Sequence, residues 1–244
     1  MALPKLNTPT YELEVPSTDE KIKYRPFLVK EEKILLMAME SKDNAQIINA
    51  VKDIVKSCTF EKVDVSTMPM FDMEYIFLNI RAKSVGEVSK LKILCPDDKK
   101  TYASVDLDLT KVEVQVGDDH TNKIELTDDM GLIMTYPTID SFLDSGIETI
   151  TANNMLDIIG SCVLQIYEQK GQKVYQAKDQ TKKELTEFIE QMNSGQFRKV
   201  QSFFDTMPKL THTVKVKNPK TKKTSEVKLT GLNDFFGEPF HTIT

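Results

Sequence analysis

The sequence has no tryptophan, nine glycines and three cysteines in 244 residues. Neither Gly-x-x-x-x-Gly-Lys nor Gly-x-Gly-x-x-Gly occurs in it, so the backbone cradles that hold nucleotide phosphates have no counterpart. Gly-x-Ser-x-Gly is also missing, and no histidine is flanked by other candidate catalytic groups, which removes the usual signatures of an activated nucleophile. Cys58, Cys95 and Cys162 are odd in number and widely spaced. That excludes a disulfide framework and points to a reducing compartment. His120, His212 and His241 stand alone in polar stretches, whereas a structural zinc site takes about four ligands placed by a turn or a helix face. The longest apolar stretches, Ile34 to Met39 and Met155 to Ile159, fall far short of the ~20 residues that span a bilayer. The segment Met1 to Asn7 has no apolar run of signal-peptide length, so synthesis and retention in a cytoplasm are expected.

What is present is the composition of an ordinary globular protein: 40% hydrophobic, 28% charged, and 32 Lys+Arg against 37 Asp+Glu, for a net charge of −5. At roughly 100–200 residues per domain this length allows one large domain or two small ones. The negative balance argues against a surface shaped as a whole for nucleic acid.

Residues 1–29 hold Pro4, Pro9, Pro16 and Pro26 between short alternating stretches, the pattern of an extended arm with one hairpin. Helical periods follow. Ile34, Leu35, Ala38 and Met39 make one face, and Ile47, Ile48, Val51, Ile54, Val55 and Cys58 make a second, with a junction at Ser41 to Asp43. Pro69 introduces a third helix over Met70 to Lys83. After Gly86 the residues alternate as a β-hairpin turning at Cys95 to Lys100, Val112 to Val116 continue as a strand, and a further hairpin turns at Asp128 to Gly131. From Ile139 the spacing predicts helices, with one face formed by Met155, Ile158, Ile159, Cys162, Val163 and Ile166, another by Leu185, Phe188, Ile189 and Met192, and a third by Phe197, Val200, Phe203 and Phe204.

The segment Lys215 to Thr224 can be laid over Lys92 to Thr101, aligning Pro219 with Pro96, Lys222-Lys223 with Lys99-Lys100 and Thr224 with Thr101. Each segment follows an apolar helix, so a helix-plus-hairpin unit is read as occurring twice. The expected fold is α+β, helices packed with small antiparallel hairpins. The expected segments are an extended arm at 1–29, helices followed by hairpins at 30–136, a helical region ending in a second knuckle-like hairpin at 137–232, and an aromatic tail at 233–244.

Cys95-Pro96-Asp97-Asp98 has the outline of a zinc knuckle lacking its second thiolate, and Asn218-Pro219-Lys220-Thr221 of one lacking both. No metal and no cofactor are expected at these positions, Cys95, Asp98, Asn218 and Thr221. The carboxylate pairs Asp97-Asp98, Asp118-Asp119 and Asp128-Asp129 fall in predicted turns, where Asp serves the backbone. A basic cluster, Lys215, Lys217, Lys220, Lys222 and Lys223 with Lys209 and Lys228 beside it, reads as a phosphate contact, an acidic-partner contact, or a solvated hairpin that discourages strand pairing. Phe235, Phe236 and Phe240 either fold back on the core or dock on a neighbour.

Three blocks carry a resemblance: Leu3 to Tyr11, Tyr24-Arg25-Pro26-Phe27-Leu28-Val29-Lys30-Glu31-Glu32 with its continuation to Leu36, and Phe71 to Ser84. Together with Leu126 to Asp128, Met134 to Pro137, Phe203 to Lys209 and Gly231 to Phe236, these blocks resemble the baseplate hub subunit family of T4-like contractile-tailed phages, its cyanophage versions most. The resemblance implies a non-enzymatic structural or assembly protein acting in the virion baseplate after assembly in the host cytoplasm. Its implied partners are other baseplate and hub proteins, with several copies around the tail axis and no nucleic acid. Alternatives are an assembly chaperone absent from the virion, or a nucleic-acid-binding module using residues 209–228. Some relatives implied by the resemblance carry Cys-x-x-Cys at both hairpin turns, which this sequence does not. Arg25, Pro26, Phe27 and Leu28 are expected either to dock on a neighbour or to anchor the arm.

Overall fold

The computed structural model describes residues 6–144 and 152–236. In chain order the elements are β1 (Tyr11–Glu14), β2 (Lys21–Tyr24), α1 (Val29–Ser41), α2 (Asn44–Cys58), α3 (Met70–Val85), β3 (Val88–Leu94), β4 (Tyr102–Asp108), β5 (Glu113–Gln115), β6 (Lys123–Glu125) and β7 (Met130–Met134). They continue with α4 (Ile139–Asp144), α5 (Ala152–Ser161), β8 (Val163–Glu168), β9 (Lys173–Gln176), α6 (Lys182–Glu190), α7 (Ser194–Thr206), β10 (Lys209–Lys217), β11 (Thr224–Thr230) and α8 (Gly231–Phe236). The fold class is α+β, with every paired strand antiparallel.

Contacts group the chain into two compact units. The first takes in the described parts of Met1–Val65, Phe71–Gln115 and Lys209–Thr244. Its helices start where the sequence supplies a cap. The Asp43 carboxylate accepts from the Ala45 and Gln46 N–H groups ahead of α2, and Lys42, in the left-handed region at φ 56°, closes α1. Helix α3 buries Phe71, Met73, Ile76, Phe77, Leu78, Ile80 and Ala82, so apolar side chains occupy nearly its whole circumference, as expected of a helix inside a core. Strands β3 and β4 pair from Val88↔Asp108 to Leu94↔Tyr102. Strand β10 is shared: Lys209 to Thr211 pair with β5, and Thr211 to Lys217 pair with β11.

The second unit is Ser66–Met70 with Val116–Pro208. It contains the four-stranded sheet β6-β7-β8-β9 and a core of Ile124, Leu132, Met134, Cys162, Val163, Ile166, Leu185, Ile189, Val200 and Phe203. Reciprocal capping boxes open α6, between Thr181 and Glu184, and α7, between Asn193 and Gln196.

One expectation is corrected here. Val163 and Ile166 do not continue the helical face begun at Met155. Helix α5 ends at Ser161, and both residues lie in β8, between β7 and β9. The region from 137 onward is therefore not purely helical, because two strands of the sheet lie inside it. The physical reason is the run Val163-Leu164-Gln165-Ile166-Tyr167, rich in β-branched and aromatic side chains, which is placed with two neighbouring strands to pair with.

Candidate functional site

The Arg25 block folds inward. The Arg25 backbone N–H donates to the Cys58 carbonyl at 2.9 Å. Its guanidinium donates from Nη2 to Glu31 Oε1 and Ser57 Oγ, each at 2.9 Å, and from Nη1 to the Pro26 carbonyl at 2.9 Å. The second Glu31 oxygen accepts the Leu28 N–H at 2.8 Å, closing the first turn of α1. Burial opposes the Glu31 charge, but the Arg25 hydrogen bond, the Leu28 N–H and the Arg25 charge outweigh it and hold the pKa at about 2. Pro26 and Phe27 are buried, and the Phe27 N–H donates to Ser84 Oγ at 2.9 Å. Leu28 is 40% exposed and Val29 79% exposed. Upstream, Ser17 donates from both its N–H and its hydroxyl to the buried Asp72 carboxylate. These contacts fasten the arm to α2 and α3, leaving Leu28 as the outward-facing member of the block.

The two knuckle-like turns repeat each other in hydrogen bonding. Lys99 N–H donates to the Cys95 carbonyl at 2.9 Å, and Lys222 N–H to the Asn218 carbonyl at 3.0 Å. Lys99 and Lys222 both adopt positive φ, 51° and 63°. Asp98 Oδ1 accepts the Lys100 N–H at 3.0 Å, and at the equivalent place Thr221 Oγ1 accepts the Lys223 N–H at 3.3 Å. Residues 123 positions apart thus play the same parts. The turns also touch. The Asp97 carboxylate accepts from Asn218 Nδ2 at 2.9 Å and from the Thr221 hydroxyl. Those two bonds hold the Asp97 pKa below the usual carboxylate range. Asp98 is held lower by the Thr101 hydroxyl first, then by the Thr101 and Lys100 N–H groups.

A metal ligand at Cys95 would have to be a thiolate. Cys95 is 1% exposed, and burial followed by the Asp97 and Asp98 charges raises its pKa. Asn218 is buried, with Oδ1 accepting the Lys220 and Thr221 N–H groups at 2.8 and 3.2 Å. Two of the four knuckle positions, Asn218 and Thr221, are bonded to Asp97 of the other turn, and this contact is the clasp. Among the described residues no three or more His, Cys, Asp or Glu side chains are grouped to hold a metal ion.

The clasp brings Lys99 and Lys100 of one turn beside Lys220, Lys222 and Lys223 of the other, all exposed. Lys215 and Lys217 lie on the exposed face of β10, with Lys215 opposite Glu226. At the C-terminal end Phe235 is fully buried and its carbonyl accepts the Ser89 hydroxyl at 3.0 Å. It folds back on the core. The Phe236 side chain and Phe240 lie outside the described residues, as do Met1 to Lys5 of the arm.

Sequence reasoning missed Asp97, whose role depends on a partner more than 120 positions away. It also missed Glu74, which accepts the Leu232 N–H at the start of α8 and whose pKa burial raises to about 7. In the second unit His120 bonds Thr206 Oγ1 at 2.9 Å and the Tyr136 hydroxyl at 3.1 Å. Because Thr206 donates its proton to the Ser202 carbonyl, it accepts from His120 Nδ1–H, which leaves Nε2 to accept from Tyr136. Tyr136 stacks on the His120 ring and on Phe203, and Phe203 lies tilted against His120, so the half-buried histidine packs at the edge of the core. Elsewhere in this unit an open cleft is lined by Ile166, Tyr175, Leu185 and Phe188 with Glu168 and Glu184, and Glu184 is committed to the Thr181 cap.

A family model described as T4 bacteriophage base plate protein matches residues 8–237. No curated protein and no solved structure matches. Among the described residues no helix is long and apolar enough to cross a membrane.

Proposed function

The chain belongs to the T4 bacteriophage base plate protein family, and from that premise we propose that it is a non-enzymatic structural subunit of the central hub of a contractile-tail baseplate, held there by contacts with other hub proteins. The observation that carries the reading is the family match over residues 8–237, to which the Arg25 to Glu32 and Phe71 to Ser84 blocks add the hub character. In support, the conspicuous polar side chains are spent on fastening the chain to itself: Arg25 on Glu31, Asp97 on Asn218 and Thr221, His120 on Thr206 and Tyr136. On this reading assembly takes place in the host cytoplasm and several copies surround the tail axis, as expected for a rotationally symmetric baseplate.

A subunit of the finished particle and a chaperone of hub assembly are separated by mass spectrometry of purified phage beside a pull-down from infected-cell lysate with this chain as bait. Presence in particles at a fixed ratio to other baseplate proteins is the expected result. Recovery only with intermediates would make it a chaperone, and recovery with neither would overturn the hub role.

A further inference from the structure

We infer that the clasped tips of the β3-β4 and β10-β11 hairpins form a docking surface for an acidic, carboxylate-rich protein segment that carries an apolar or aromatic residue beside its acidic run. The inference rests on the baseplate reading only for whose segment it is. Lys99, Lys100, Lys220, Lys222 and Lys223 come from turns that are far apart in sequence and are held together by the Asp97 bonds to Asn218 and Thr221. Against five lysines the tips hold two acids, Asp97 and Asp98, for a local charge of +3 in a chain of net −5. Both acids are turned to internal work, Asp97 toward the second turn and Asp98 toward Thr101, Lys100 and Asn218. None of the five lysines takes part in a salt bridge among the described residues. Only Lys222 has a fixed acceptor, the Pro219 carbonyl at 2.8 Å.

Directly behind the tips, Leu94 and Tyr102 face each other across the hairpin, 41% and 61% exposed. The surface therefore combines five exposed lysines with an apolar pair. Charge complementarity selects an anion, and three features select carboxylates on a protein over a nucleic-acid backbone. The cations are all lysine, without the arginine forks that match phosphate. The patch is confined to two turns, with no long track to follow a strand. The whole chain is negative, so long-range attraction to DNA is absent.

The test uses the full-length chain and two fluorescein-labelled probes read by anisotropy at low salt: a peptide of six glutamates flanked by leucine and phenylalanine, and a short DNA duplex. Changing Lys99, Lys100, Lys222 and Lys223 together to Gln is expected to weaken the peptide about tenfold or more. Leu94→Ser with Tyr102→Thr is expected to weaken it several-fold with little effect on the duplex. Changing Lys21, Lys33, Lys56 and Lys62 to Gln, which removes equal charge elsewhere on the same unit, should leave the affinity within about twofold. Circular dichroism verifies folding, and Lys99→Gln with Lys100→Gln alone serves if the fourfold variant does not fold. Equal loss in tip and control variants, no peptide binding, or tighter binding of the duplex than of the peptide would each overturn the proposal. Absence of the chain from baseplates would remove the hub role and leave these affinities as they are.

Discussion

Glu31 does three jobs with one carboxylate: it caps α1 through the Leu28 N–H, neutralises Arg25 and accepts from Ser57. Its folded pKa of about 2 lies below the ordinary value of 4.5. A depressed carboxyl contributes stability that is fully present above the unfolded pKa and is lost as pH falls through the folded one. The contribution, about 3 kcal/mol by the size of the shift, therefore disappears between about pH 4.5 and about pH 2. Glu31→Gln is expected to lower Tm at neutral pH by roughly 5–10 °C, with a flatter acid profile than wild type in that window, followed by thermal melts across pH. Glu74 runs the other way. Its pKa, raised to about 7 by burial, makes the folded state prefer the neutral acid, so stability is greatest below about pH 4.5 and declines as pH rises toward 7. Glu74→Gln should melt higher than wild type at pH 8 and close to it at pH 5. A third residue carries an unmet need: among the described residues the buried Tyr167 hydroxyl, over Gly131, has no hydrogen-bond partner. Tyr167→Phe removes that unsatisfied group and should leave Tm unchanged or raise it. The Arg25 block was conspicuous in the sequence, but its destination was not, because Glu31 and Ser57 stand 6 and 32 positions away with nothing local to mark them as its partners.

The elements themselves were readable wherever period and punctuation agreed. Pro69 before α3, Asp43 before α2 and the Cys95 to Lys100 turn gave boundaries close to those observed. The failure at Val163 and Ile166 shows the limit of period alone. Steps of three and four from Met155 ran past Ser161 because an alternating strand places apolar residues at spacings that a helix also uses. The strand β9, with Val174 and Tyr175 as its apolar members, left too short a pattern to be seen. The similarity of the two hairpin turns was legible, whereas their contact was not, since no local pattern specifies which turn lies beside which. That contact gives an element-scale prediction. Asp97→Ala removes the two bonds that Asp97 makes across the clasp, so amide exchange at 218–223 should quicken while exchange in α2 and α3 stays as in wild type. Unchanged exchange at 218–223 would mean that each turn holds its shape alone.

For the whole molecule, the segment Val116–Pro208 carries its own sheet, its own capped helices and a core whose members all lie between Ile124 and Phe203. A fragment of residues 116–208 is expected to fold alone, with a cooperative thermal transition and dispersed amide resonances. An uncooperative melt would show that it depends on the rest of the chain. Residues 71–115 are expected not to fold without 209–236, since β5 has β10 as its partner strand and Phe235 fills the place under Ser89.

Because β10 lies between β5 and β11, the first unit is completed only after Val116–Pro208 has been made. On the ribosome, β5 is made and then waits while the intervening 93 residues are added, roughly 5–20 s at bacterial rates of ~5–20 residues per second. During that interval Cys95 to Thr101 has no second turn to clasp, and the lysine cluster does not exist. A chain released early, or one still emerging, would display α1 to α3 without the paired tips. A partner that recognises the tips would engage only molecules translated past Lys223, so the order of synthesis itself would hide the tips of unfinished chains.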